Sequence, residues 1–165
     1  MLKKTLIASS LILGFSSIAN AATATAVWTG EVPGSSPDTK IIITGKGGSL
    51  EALTGSVYAN SDGTFTTGII PMESHVYTGS AEDPVVGDLI NVNWTISTKQ
   101  VIYSGRIVDG ANLEVIINGA TVGYDDEISN EDIIETQLKQ NAELPASEVA
   151  GTTVQAALTM IASSI

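Results

Sequence analysis

The one imidazole available for general-base chemistry is His75. A Ser-His-Asp triad would have to form around it, yet no G-x-S-x-G or comparable nucleophile setting accompanies it. His75 follows Pro71-Met72-Glu73-Ser74, which reads as a loop, so a surface histidine is expected. The acidic run Asp125-Asp126-Glu127, with Glu131, Asp132 and Glu135 beyond it, lacks the D-x-[DN]-x-[DN]-G spacing of an EF-hand. It reads as a solvated approach to a helix. Glycoside hydrolysis needs two facing carboxylates and a groove usually rich in aromatics, and spacing alone singles out no pair among 18 acids. The two tryptophans, Trp28 and Trp94, both fall within strand patterns, which favours core packing over a sugar platform. Thr44-Gly45-Lys46-Gly47-Gly48-Ser49 carries Gly and Lys without P-loop spacing and reads as a glycine-rich turn. The absence of cysteine excludes disulfides and thiolate metal sites. The expectation is a chain with no enzymatic activity, no cofactor and no metal.

The elements that would position any site begin after a leader. Lys3 and Lys4 form a basic n-region, Leu6 to Phe15 a short apolar run, and Ala19-Asn20-Ala21 an A-x-A cleavage site. Residues 1–21 therefore read as a secretory signal peptide, and no later segment is apolar enough to span a bilayer. Removing 21 of the 165 residues leaves 144, the size of one domain with a sizeable core. The formal charge of −11 becomes −13 once the two leader lysines are lost. Such acidity argues against nucleic acid or an anionic membrane as partner.

Turn signals recur at short intervals through the rest. Pro33-Gly34-Ser35-Ser36-Pro37-Asp38 is a turn cluster, and Lys40 to Thr44 a strand. Leu53 to Asn60 is a second strand, and Asp62-Gly63 marks a hairpin before Phe65. Thr66 to Ile70 reads as extended and stopped by Pro71, with a turn at Asp83-Pro84. Leu89 to Ser97 alternates, with Ile90, Val92, Trp94 and Ile96 on the core side. Val101 to Val108 follows, broken by Gly105, with hairpin signals at Asp109-Gly110 and Asn118-Gly119 around Leu113 to Ile117. Ser129-Asn130-Glu131-Asp132 resembles a capping box, and Ile134 and Leu138 share a helical stripe, predicting a short helix over 130–140. In all, about nine short strands point to an all-β sandwich with one short helix.

The two ends carry complementary strand patterns. Ala22, Ala24, Ala26, Trp28, Gly30 and Val32 share one face of the segment after the cleavage site. Val154, Ala156, Leu158, Met160 and Ala162 share one face of the closing segment. A strand with small residues and one large knob suits insertion beside another chain's sheet.

The stretches Ala22–Trp28, Asp38–Thr44, Leu144-Pro145, and Gly151 with Val154-Gln155 together resemble structural pilins of the chaperone–usher class. Within it they look most like the alpha-type group of colonization-factor fimbriae and the Escherichia coli common pilus. The resemblance implies an immunoglobulin-like sandwich lacking its final strand. The domains would then be a signal peptide (1–21), an N-terminal donor strand (22–33) and a pilin sandwich (34–165). Ala22, Ala24, Ala26, Trp28, Gly30 and Val32 would enter the next subunit. The acceptor groove would be lined by Val154, Ala156, Leu158, Met160 and Ala162, or by the opposite face of that strand. Implied partners are identical subunits, a periplasmic chaperone, an outer-membrane usher and a host-cell receptor. The implied place is an adhesive fimbria on the bacterial surface. A tip or minor adhesin is the alternative. Many pilins of the class have Tyr next to last, whereas this chain ends Ser163-Ser164-Ile165, so chaperone pairing through such a residue is not implied.

N-terminal sequencing of the exported protein is expected to begin at Ala22; a chain that retains residues 1–21 contradicts the leader reading.

Overall fold

The computed structural model describes the backbone of residues 24–27, and residues 41–80, 83 and 85–165 in full. The leader, Ala22, Trp28, Gly30, Val32 and the turn cluster at 33–38 lie outside the described residues. Alternating apolar and polar residues produce twelve strands, all paired antiparallel, and one single-turn helix among the described residues. The strands are β1 (Ala24–Val27), β2 (Ile41–Thr44), β3 (Thr54–Ala59), β4 (Phe65–Thr67), β5 (Ile70–Tyr77) and β6 (Val86–Leu89). There follow β7 (Val92–Tyr103), β8 (Leu113–Ile117), β9 (Ala120–Val122), β10 (Ile128–Glu131), β11 (Ile133–Gln140) and β12 (Val154–Ser163).

These strands form two sheets. The larger follows the path β1-β3-β4-β11-β5-β2, with β6 on β5 and the β8–β9 hairpin on β11. The smaller is β10-β7-β12. β4 and β5 pair with successive stretches of the same strand, β11, and so act as two halves of one interrupted strand. The interruption is Gly68-Ile69, where the Gly68 N–H turns aside to Ser56 O at 2.8 Å. Each half then takes its own outer partner, β3 or β2. Between the sheets lie Val92, Trp94, Val115, Ile134, Leu138 and Leu158, each essentially inaccessible to solvent. Two buried polar groups are satisfied at the core. Trp94 Nε1 donates to Glu131 O at 3.0 Å within the smaller sheet, and Tyr103 Oη donates across the layers to Gly63 O at 2.7 Å, in the turn between β3 and β4. Burial, helped by the charge of Asp62, pushes the Tyr103 phenol up to about 12.

The expected hairpins at Asp62-Gly63 and Asn118-Gly119 both form. Asn118 and Gly119 take φ of 52° and 81°, the left-handed pair that a two-residue hairpin needs. Other expectations are corrected. Asp109-Gly110 is a turn but not a hairpin, because the strands it connects, β7 and β8, lie in different sheets. Pro71 does not stop a strand. It is the second residue of β5, directly after the Gly68-Ile69 break, where a missing donor disturbs the ladder least. The segments 89–97 and 101–108 are not separate strands either. A single strand, β7, runs to Tyr103, and Ser97 is an extra residue opposite the step between Thr159 and Met160. That bulge shifts the parity, so Val92, Trp94 and Ile96 point inward before it, and Val101 and Tyr103 after it.

The helix expected over 130–140 is instead the strands β10 and β11. Ile134 and Leu138, four apart, fit both periods; Thr136 and Gln140 decide, because both are also buried at alternate positions. β11 is a central strand, paired with β4 and β5 on one edge and β8 on the other. Sheet pairing and β-branched residues therefore override the cap signal. Ser129 Oγ bonds Glu127 Oε1 at 2.9 Å, and Asn130 has φ of 61°, at the irregular β10 pairing. The one-turn helix α1 (Ala146–Val149) lies elsewhere, after Pro145.

Urea titration of Leu138→Ala is expected to show a loss of about 2–5 kcal/mol. Ile133→Ala, on the exposed side of the same strand, is expected to stay within about 0.5 kcal/mol of the parent.

Candidate functional site

Strand β12 carries the predicted acceptor residues. Its alternation sends Val154, Ala156, Leu158, Met160 and Ala162 into the core, each 9% exposed or less. The opposite face, from Gln155 to Ser163, points outward, with Ile161 46% exposed. The sequence left both faces open as the lining; the inward face is the apolar one.

One edge of β12 pairs with β7 over its whole length, from Val154↔Tyr103 to Ser163↔Asn93. Among the described residues no strand pairs with the other edge. Ten residues of strand extend roughly 33 Å, with backbone donors and acceptors turned outward at every second position. Such an edge is a template for an added strand unless something covers it.

β1 approaches this place. It is hydrogen-bonded antiparallel to β3, from Ala24↔Val57 to Val27↔Thr54, and its backbone also runs close to β12. The fold therefore brings Ala24 and Ala26, two of the predicted donor residues, between the edge of β3 and the edge of β12. The pairing is with β3 of the same chain, a partner the sequence did not indicate.

A second cluster went unrecognised in the sequence. His75 is not in a surface loop; it lies in β5 and is 8% exposed. Its Nε2 is 3.1 Å from Glu73 Oε2, and its Nδ1 is 2.9 Å from Gly87 O. Gly48 N–H donates to the same Glu73 oxygen at 3.0 Å. Glu73 and His75 are two apart on one strand and so share a face, a spacing visible in the sequence once Pro71 is not taken as a stop. Their partners come from the glycine turn at 45–49 and from β6, segments 12 to 25 residues away in the chain. The N–H of Gly47 foremost, then His75 and the N–H of Gly48, hold the Glu73 carboxyl below its usual 4.5, against the opposing effect of burial. Both imidazole nitrogens are engaged, and neighbouring Ser74 directs its hydroxyl to Ile90 O at 2.7 Å, away from the ring. The cluster ties the glycine turn at 45–49 and β6 to the outer face of the large sheet.

The remaining candidates have structural places. Trp94 is core. The Thr44–Ser49 stretch is a turn closed by Gly45 N–H to Ser49 O at 2.8 Å. In the acidic run, Asp126 accepts from Gly123 N–H at 2.7 Å while Asp125 and Glu127 are exposed. Among the described residues no three acids or histidines converge as a metal site would require.

The depressed Glu73 carboxyl has a definite pH signature. Its contribution to stability is complete above about pH 4.5 and is lost as the pH falls through its lower folded-state value. Acid titration of unfolding is expected to show this loss, and Glu73→Gln to flatten it while costing roughly 1–3 kcal/mol at pH 7. An unchanged acid limb in that variant contradicts the assignment.

The chain matches no protein-family model, no curated protein and no solved structure.

Proposed function

We propose that this chain is an exported structural subunit of a surface fimbria of the chaperone–usher class, polymerising by donation of its N-terminal strand to the next copy. The observation that carries the reading is the ten-residue β12, apolar toward the core and unpaired along one edge among the described residues.

Strand order supports it. An immunoglobulin-like sandwich sets its strands A-B-E-D in one sheet and C-F-G in the other. With β2 and β3 as A, β4 and β5 as B, β7 as C, β8 as D, β11 as E and β12 as F, the larger sheet contains A-B-E-D, with β6 on B and β9 on D, and the smaller contains C-F, with β10 on the outer edge of C. No described strand stands at the G position beside F. The closeness of β1 to both β3 and β12 supports a site that takes an extended segment from the N-terminal region. Within one chain that segment is its own; in a polymer it would be the neighbour's residues 22–32, with Trp28 the largest side chain entering the groove. Head-to-tail insertion is heterologous, so it propagates an open filament rather than a closed ring. In this reading a periplasmic chaperone covers the edge before assembly, and an outer-membrane usher exchanges it for the next subunit.

Deleting residues 22–32 behind the leader separates donor from acceptor. The deleted chain is expected to form no fibres by electron microscopy. It is also expected to bind a synthetic peptide of residues 22–32, with a gain of about 2.7 kcal/mol at a peptide concentration a hundred times its Kd. Fibres of normal length from the deleted chain overturn the proposal.

A further inference from the structure

Among the described residues, a second part of β7 is open on the side away from β12. β10 covers that side only at Val92 and Trp94. Further along, Lys99 N–H donates to Tyr124 Oη at 3.2 Å, and Tyr103 exchanges backbone bonds with Arg106 at 2.8 and 3.0 Å. Lys99, Val101 and Tyr103 therefore all turn their main-chain groups away from β12, as alternation in an antiparallel ladder requires. Among the described residues, the Lys99 carbonyl and both main-chain groups of Val101 have no partner there.

These groups open into a cleft of about 610 Å³ between β7, the 107–113 connection and Tyr124. That volume falls within the range of small-ligand sites. The lining includes the amide-bearing residues Gln100 and Asn112, together with Tyr124 and the 70% exposed Ile107. Its charge is unusual for this chain. Acids outnumber bases 18 to 7 overall, yet the lining contains Lys99 and no carboxylate. Among the described residues Lys99 forms no ion pair; its ammonium stands 5.3 Å from the centre of the Tyr124 ring.

We propose that this cleft binds an acidic sugar, a pyranose bearing a carboxylate. Lys99 would meet the carboxylate, the amides and open main-chain groups the hydroxyls, and Ile107 with the edge of Tyr124 the apolar ring face. An added peptide strand fits less well. Tyr124 already occupies the Lys99 N–H and Arg106 occupies Tyr103, which leaves an open edge only about two residues long. The inference stands independently of polymerisation, because β12 lies on the other side of β7.

Saturation-transfer difference NMR on the full mature chain tests it in any state of assembly. Glucuronate and N-acetylneuraminate are expected to bind with Kd of about 1 mM, and galactose about tenfold more weakly. Lys99→Met is expected to remove the preference for the acids, and Lys99→Arg to retain it. No transfer from either acid, acids bound equally well by Lys99→Met, or displacement of the acids by an equimolar acidic pentapeptide would each overturn the proposal.

Discussion

The geometry of this protein turns on β12, a strand that the core needs and that, among the described residues, the sheet pairs along one edge. Its five inward side chains share one core with Trp94 of the same sheet and with Ile134 and Leu138 of the facing sheet, so the strand cannot leave without opening the core. Burial of each such side chain is worth about 1.5–3 kcal/mol, and less for the alanines, which fixes the strand firmly in place. Among the described residues its backbone is paired on one edge only, by β7. Hydrophobic burial and hydrogen bonding therefore set different boundaries for the same element, and the region around its outer edge becomes the place where another extended segment is accommodated.

The bulge at Ser97 makes this compatible with a single long partner strand. Without it, Val101 and Tyr103 would face solvent whenever Val92, Trp94 and Ile96 faced the core. With it, both ends of β7 supply core residues, and Tyr103 reaches the Asp62-Gly63 hairpin through a buried hydroxyl. The same strand presents opposite edges to two environments, the strand-bearing side at β12 and the cleft at Lys99. A polymer built through the first would display the second in every copy, so weak individual binding would be multiplied by repetition.

Much of the fold is legible where the local chemistry has one solution. Asn118-Gly119 has to turn, because few residue pairs tolerate two successive left-handed conformations. The period of β12 is readable because Val154 to Ala162 carries an apolar residue at every second position, while Ala157 and Ile161 on the other face leave the inward side to the structure. Legibility fails where two periods coincide. Ile134 and Leu138 satisfy helix and strand alike, and Ser129 with Asp132 supplies a plausible cap for a helix that sheet pairing displaces. It fails again at His75, whose burial depends on the turn at 47–48 and on strand β6 at 87, and at Asp109-Gly110, where a turn signal cannot tell a hairpin from a crossing between sheets.

By itself, the sequence determined the all-β class, the hairpin turns at Asp62-Gly63 and Asn118-Gly119, the strand period of the closing segment and the lack of any disulfide. These follow from side-chain period, backbone permissiveness at Gly and Asn, and composition, all of which act locally. Tertiary structure decided which strands become neighbours, that Glu73 and His75 form a buried pair, and that β12 has one edge without a described partner. Those are outcomes of pairing between segments far apart in the chain, where many registers are locally acceptable and only the shared core selects among them.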